Sequence, residues 1–159
     1  MPKYPNRLRV GGVNTAIFSR RPDLYSVCHE NAEHAAQAMA VMPDDTKGTF
    51  AVYKGRAEDR AGAEETGPVY SVGKDGPLAV PTGRVFVRLA QGVRPADRSE
   101  HFAKAGFEVE RTLSYAPNAA WLHATDGDVG QALAGIATLE KLPDVVHVEP
   151  QMLLERAQR

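Results

Sequence analysis

A chain of 159 residues that is 43% hydrophobic and 25% charged is long enough to bury one ordinary core or two small ones. Nineteen Lys and Arg against 20 Asp and Glu leave a net charge of -1, which supplies no general field to attract nucleic acid or anionic lipid. The single Cys28 excludes an intramolecular disulfide and a metal centre built from paired cysteines.

The first residues, Met-Pro-Lys-Tyr-Pro-Asn-Arg, are polar and carry no secretory signal, and no segment is apolar for long enough to span a bilayer, so the expected location is cytoplasmic. Residues 14–19 and 23–29 read as strands, with Arg20-Arg-Pro22 as a hairpin connection. Asn31 opens a predicted helix over residues 30–42, in which Ala35, Ala38, Met39 and Met42 recur at helical spacing and Pro43-Asp-Asp45 forms the stop. Strands follow at 49–54 and 69–72. Between them residues 55–67 hold no large apolar side chain and read as a mobile, solvated loop. Two punctuations, Gly73-Lys-Asp-Gly-Pro77 and Pro81-Thr-Gly83, bracket Leu78-Ala-Val80 as turn, edge strand and turn. A domain boundary is expected there, making residues 1–80 a small α+β domain.

Past this point Arg84-Val-Phe-Val-Arg-Leu89 alternates, with Val85, Val87 and Leu89 on one face and Phe86 and Arg88 on the other. Pro95 suits the first position of a helix that runs to Ala105 and stops at Gly106. Strands are predicted over 108–115 and 118–124, hinged at Ala116-Pro117. Asp126 or Asp128 caps a helix whose stripe is Val129, Ala132, Leu133, Ile136 and Leu139. Pro143 and Asp144 break it before a closing strand at 145–149. A strand-helix-strand repeated once predicts an α+β, ferredoxin-like split βαβ sandwich over 81–151, with one sheet face open, and a tail at 152–159. An open face must be polar, covered or used for binding.

Three stretches, Arg84-Val-Phe-Val-Arg-Leu-Ala-Gln-Gly-Val93, Tyr115-Ala-Pro-Asn-Ala119 and Leu142-Pro-Asp-Val-Val-His-Val-Glu-Pro150, together resemble the prosegment of bacterial subtilisin-family serine proteases. The resemblance covers about residues 83–151. Pro68-Val-Tyr-Ser-Val72 and Pro81-Thr-Gly83 are similar to the lead-in of longer multidomain members of that group. The resemblance implies that the open sheet face docks on a protease while the tail lies in its active-site cleft like a product peptide, so that the chain is both folding template and inhibitor. The implied partner is a subtilisin-type serine protease. Carried onto this chain, the cleft-filling residues are among Leu153, Leu154, Glu155, Arg156, Ala157, Gln158 and Arg159. Leu153 and Leu154 are the natural pocket-fillers, with capping of a sheet edge or domain interface as the equal alternative. An extended segment of this kind adds main-chain hydrogen bonds along a cleft edge, and a folded carrier reduces its ordering cost.

The docking-face candidates are Phe86, Arg88, Trp121, His123, His147 and Glu149. Trp121 has core or interdomain packing as its slightly favoured alternative, and His123 and His147 lack the neighbouring acids or thiols of a metal site. Cys28 and His29 are adjacent in a predicted strand, so they point to opposite faces and do not form a thiol-imidazole pair. No Gly-Thr-Ser-Met-Ala or His-Gly-Thr context of a subtilisin catalytic domain is present, and neither Gly11-Gly12 nor the 73–76 turn has phosphate-loop spacing. No enzyme activity, cofactor or metal is therefore expected. The alternatives to a protease inhibitor are a regulatory module of the same fold with a non-protease ligand, and an RNA-binding sheet, which would need more aromatic and basic residues around Phe86.

Overall fold

Period-two alternation, which sends successive side chains to opposite faces, governs most of this chain. A computed structural model describes residues 4–10, 16–29, 38–44, 48–56, 66–73 and 76–155. The strands are β1 (Arg7–Val10), β2 (Ala16–His29), β3 (Ala40–Asp44), β4 (Gly48–Lys54), β5 (Thr66–Val72), β6 (Leu78–Leu89), β7 (Phe107–Leu113), β8 (Ala116–Ala124) and β9 (Val145–Leu154). Their hydrogen-bonded order is β3-β4-β2-β5-β6-β8-β7, with β1 paired to β2 and β9 to β6. Two compact units divide the chain, one of Met1–Arg9, Ala16–Pro81 and Met152–Arg159, the other of Val10–Thr15 and Thr82–Gln151.

The first unit differs from expectation in three places. Residues 20–22 make no hairpin connection, because β2 runs straight through them and absorbs Pro22 in a register shift against β5 between Arg20 and Tyr25. A bulge leaves backbone groups unpaired, so the missing proline N–H breaks no ladder bond. Of the helix predicted over 30–42, residues 30–37 lie outside the described set, and Ala40–Asp44 is strand β3, paired antiparallel to β4. Its burial alternates, with Met42 buried and Val41 exposed, a period of two that pairing with β4 imposes on an Ala-rich stretch compatible with either state. Of the expected loop at 55–67, residues 57–65 lie outside the described set, while Thr66 and Gly67 already belong to β5. The core of this unit joins Leu24, Met42, Phe50, Val52, Val69, Leu78 and Val80, with Leu153 of β9 packed against them. Tyr70 is buried and donates to the Pro5 carbonyl at 2.7 Å.

In the second unit, Val85, Val87 and Leu89 of β6 meet Ala120, Leu122 and Ala124 of β8, Phe107 of β7 and Val148 of β9. Three short helices cover this face: α1 (Ser99–Lys104), which follows a 3-10 turn at Pro95–Arg98, α2 (Val129–Ala134) and α3 (Ile136–Glu140). They insert Phe102, Ala132 and Leu139 into the cluster. Gly106, at φ 89°, ends α1 in the left-handed conformation that suits glycine. Asp128 caps α2 by accepting the Gly130 N–H. The single helix expected after it is divided at Gly135.

The ferredoxin-like α+β sandwich expected for 81–151 is overturned. Among the described residues 60% are strand and 17% helix, and the strands join one large, mainly antiparallel nine-stranded sheet. The cause lies in β6, where Pro81 and Gly83 sit inside a twelve-residue strand and do not bound a short one. Strand β9 likewise continues through Leu154, five residues beyond its expected end. No helix among the described residues is long and apolar enough to cross a membrane.

Two outcomes test this packing. A Cβ added at Gly135 would lie 2.8 Å from Cζ of Phe107 and closer still to Cε2, while the local φ of -78° is helical. Alanine's helix propensity favours Gly135→Ala by about 1 kcal/mol, but overpacking costs about 1–3 kcal/mol. The urea midpoint of Gly135→Ala should therefore fall, and Phe107→Leu added to it should recover part of the loss. Burial also raises the Tyr70 phenol above its ordinary range. The neutral form is favoured in the folded state, so this contribution is complete below the unfolded phenol's pKa of about 10 and is lost as pH rises above it. Tyr70→Phe should flatten the alkaline limb of a stability-pH profile.

Candidate functional site: a sheet face of the second unit

The face of the second unit opposite its helices is built by strand parity. Residues 85, 87 and 89 point into the core, so Arg84, Phe86 and Arg88 point away from it. Antiparallel register then sets Arg84 beside His123, Phe86 beside Trp121 and Arg88 beside Ala119. On β7, Glu108 pairs with His123 and Arg111 with Trp121, with a register shift at Glu110 between them. On β9, His147 and Glu149 flank the core residue Val148 and so belong to this face.

Two chemistries share the surface. Phe86 and Trp121 form an edge-to-face pair with ring centroids 5.3 Å apart at 65°, and the Arg88 guanidinium lies 5.9 Å from the Phe86 centroid. Both rings are half-buried and Arg88 is exposed. Such pairs contribute about 0.5–1.5 kcal/mol beyond their buried area. Beside them runs a polar strip. Arg84, its side chain only 9% exposed, holds Glu110 Oε2 through Nε at 2.8 Å and Gln151 Oε1 through a terminal nitrogen at 3.0 Å. Thr82 Oγ1 donates to the same Gln151 oxygen at 2.7 Å. His123 Nε2 pairs with Glu108, and its buried Nδ1, which makes no hydrogen bond, lies 3.9 Å from Glu110 Oε1. His147 Nε2 lies 3.3 Å from Glu149 Oε2.

All six face candidates, Phe86, Arg88, Trp121, His123, His147 and Glu149, thus share one side of the second unit. Trp121 stands on this face and not in the helix-covered core. Arg84, Glu110, Thr82 and Gln151 were missed. Alternation assigns Arg84 to the face, but the β7 bulge that turns Glu110 toward it leaves no mark in residue type. The tail candidates separate. Leu153 packs on the core of the first unit, Leu154 is 51% exposed, Glu155 is bonded to Leu78, and Arg156, Ala157, Gln158 and Arg159 lie outside the described residues. Cys28 is half-buried against the first unit's core, and His29 Nε2 lies 3.0 Å from the Tyr53 hydroxyl. Among the described residues no group of three or more His, Cys, Asp or Glu is placed to hold a metal ion.

The stretches that carry the sequence resemblance converge elsewhere in this unit. Asn118 donates to the Leu89 carbonyl at 2.8 Å, and Ala90 N–H donates to the Asp144 carbonyl at 2.7 Å. Asp144 takes a left-handed φ of 68° and pairs with Arg98 at 2.9 Å. A groove of about 390 Å³, lined by Gln91 to Arg94 and by Pro117 and Asn118, lies at this junction.

Removing the Glu110 carboxylate strips Arg84 Nε of a charge-assisted partner in a nearly dry setting, a loss of about 1.5–3 kcal/mol for a bond to a charged group, reduced because Glu110 is 32% exposed. Glu110→Ala should lower the denaturant midpoint accordingly, and Glu110→Gln should fall between it and the wild type. Comparison with protein-family models, curated proteins and solved structures finds no match to this chain, so its function has to be argued from this face and from the residues themselves.

Proposed function

We propose that the chain is a prosegment-like inhibitor and folding template of a subtilisin-type serine protease, docking by the sheet face of its second unit and offering its C-terminal segment to the active-site cleft. The observation that carries this reading is the half-buried Phe86–Trp121 pair flanked by exposed Arg88, set on the face away from the unit's own helices. Aromatic and arginine anchors centred in a patch and ringed by polar groups are the composition of protein-binding surfaces. The resemblance of residues 84–93, 115–119 and 142–150 to subtilisin prosegments supplies the class of partner. Folding assistance follows from the same contact, since a domain that binds the native protease and not its unfolded chain shifts that folding equilibrium by mass action.

A second reading, a regulatory module with a non-protease ligand, is favoured by one observation. Leu153 is held in the first unit's core, and the strand extends to Leu154, which withdraws part of the segment a cleft would take.

Inhibition and binding of a purified subtilisin-type serine protease separate the two. The wild type should inhibit. Phe86→Ala and Trp121→Ala should each weaken binding about tenfold or more, as expected for aromatic anchors, with unchanged circular dichroism. A chain ending at Glu155 should still bind but no longer inhibit. A folded wild type that neither binds nor inhibits its cognate protease would remove the protease from this reading.

A further inference from the structure

We propose that the sheet face of the second unit is segregated by charge and fits a protein surface that presents a carboxylate beside an apolar side chain. This inference rests on the docking reading above and names the chemistry of the partner's patch. Antiparallel register orders the face in three cross-strand rows, spaced two residues apart along β6: Arg84, His123 and Glu108, then Phe86, Trp121 and Arg111, then Arg88 and Ala119. The β7 bulge decides the middle row. Without it the residue opposite Trp121 would be Glu110, two positions after Glu108, and with it the place goes to Arg111.

Acids gather at the first row and are engaged there, Glu110 by Arg84 at 2.8 Å and Glu108 by His123. Arg88 and Arg111 are exposed, and among the described residues neither makes an ion pair. Four residues of strand, roughly 13 Å, separate Arg88 from the first row, more than the screening length of about 8 Å at physiological ionic strength. The carboxylates near Arg84 therefore leave Arg88 uncompensated. What faces a partner is the half-buried Phe86–Trp121 pair between two unpaired guanidiniums. An apolar side chain laid on the rings takes their exposed carbon out of water, and a carboxylate beside it meets the planar fork of Arg88 or Arg111 in charge-assisted hydrogen bonds. A partner turned end for end would set its acid against Glu108 and Glu110, so the segregation also fixes orientation. Nucleic acid fits less well: its repeated phosphates would run across the acidic row, and the chain's net charge is -1.

Binding of the full chain to a purified subtilisin-type serine protease, its serine blocked by phenylmethylsulfonyl fluoride, would be measured at low and high salt. Arg88→Glu combined with Arg111→Glu should weaken binding about tenfold or more, mainly through slower association, and should remove most of the affinity that the wild type loses in high salt. Arg88→Lys combined with Arg111→Lys keeps the charge without the fork and should fall between. Lys104→Glu, on α1 at the helix-covered side, alters net charge away from the face and should stay within about threefold of wild type. Trp121 is the chain's one tryptophan, and oligouridylate should leave its emission unchanged. A double Arg-to-Glu variant that binds like wild type, or a loss as large in Lys104→Glu, would overturn the charge-directed fit and leave the docking reading standing. An emission change with oligouridylate that the double Arg-to-Glu variant abolishes would overturn it in favour of nucleic acid. A folded wild type that does not bind its cognate protease would remove both readings.

Discussion

The second unit depends on the inward stacking of Val85, Val87 and Leu89 of β6, which alternate with Arg84, Phe86 and Arg88 and so make one strand the source of both a core and a face. Gly83, at φ 96°, precedes that run in a backbone conformation that would strain a side chain. The Arg84 N–H is then taken by Thr82 Oγ1 at 3.2 Å. Alternation from this point places Val85 in the core and Arg84 on the sheet face beside His123. A slip of this run by one residue would turn Arg84 and Phe86 inward, and the face would lose both its buried cation and half of its aromatic pair.

That face combines groups with opposite demands. Arg84 is nearly dry, and an arginine in that position is tolerated only with partners, here Glu110 and Gln151 among them. Phe86 and Trp121 have no such requirement and stay half in solvent, where they keep apolar area available to a partner. A rigid polar strip beside an unsaturated aromatic pair is a preorganised surface: its geometry is settled before anything binds. The residues that resemble a protease prosegment serve a different end of the same unit. Leu89, Ala90, Asn118 and Asp144 are joined there through their own backbone and side-chain hydrogen bonds, so these stretches belong together for reasons of folding.

Legibility in the sequence followed how local each determinant was. The alternation in residues 84–89, the stop at Gly106 and the cap at Asp128 depend on near neighbours and are present in the structure. Pro22, Pro81 and Gly83 mislead, because the residues that end a strand are also those that a bulge or kink inside a longer strand requires. Ala40–Asp44 misleads for a related reason: alanine and methionine suit a helix, and pairing with β4 decides otherwise. The sheet is nine-stranded because of pairings such as β2 with β5, which no short window of sequence displays. In the site, alternation assigned Phe86 and Arg88 to a common face, whereas the Arg84–Glu110 contact needed the β7 bulge. Leu153 had equal claims on a cleft and on packing until its neighbours in space were known.

Among the described residues strand β7 ends the hydrogen-bonded order, so one of its sides carries main-chain donors and acceptors without a described neighbouring strand in that sheet. Exposed rows of this kind template aggregation and fibre growth. Here the row is interrupted by register shifts between Val109 and Arg111 and between Thr112 and Leu113, and it carries Glu108, Glu110 and Arg111 in succession with one valine. An incoming strand would meet broken spacing and fixed charge together. At high protein concentration this border disfavours chain-to-chain polymerisation along the β7 edge.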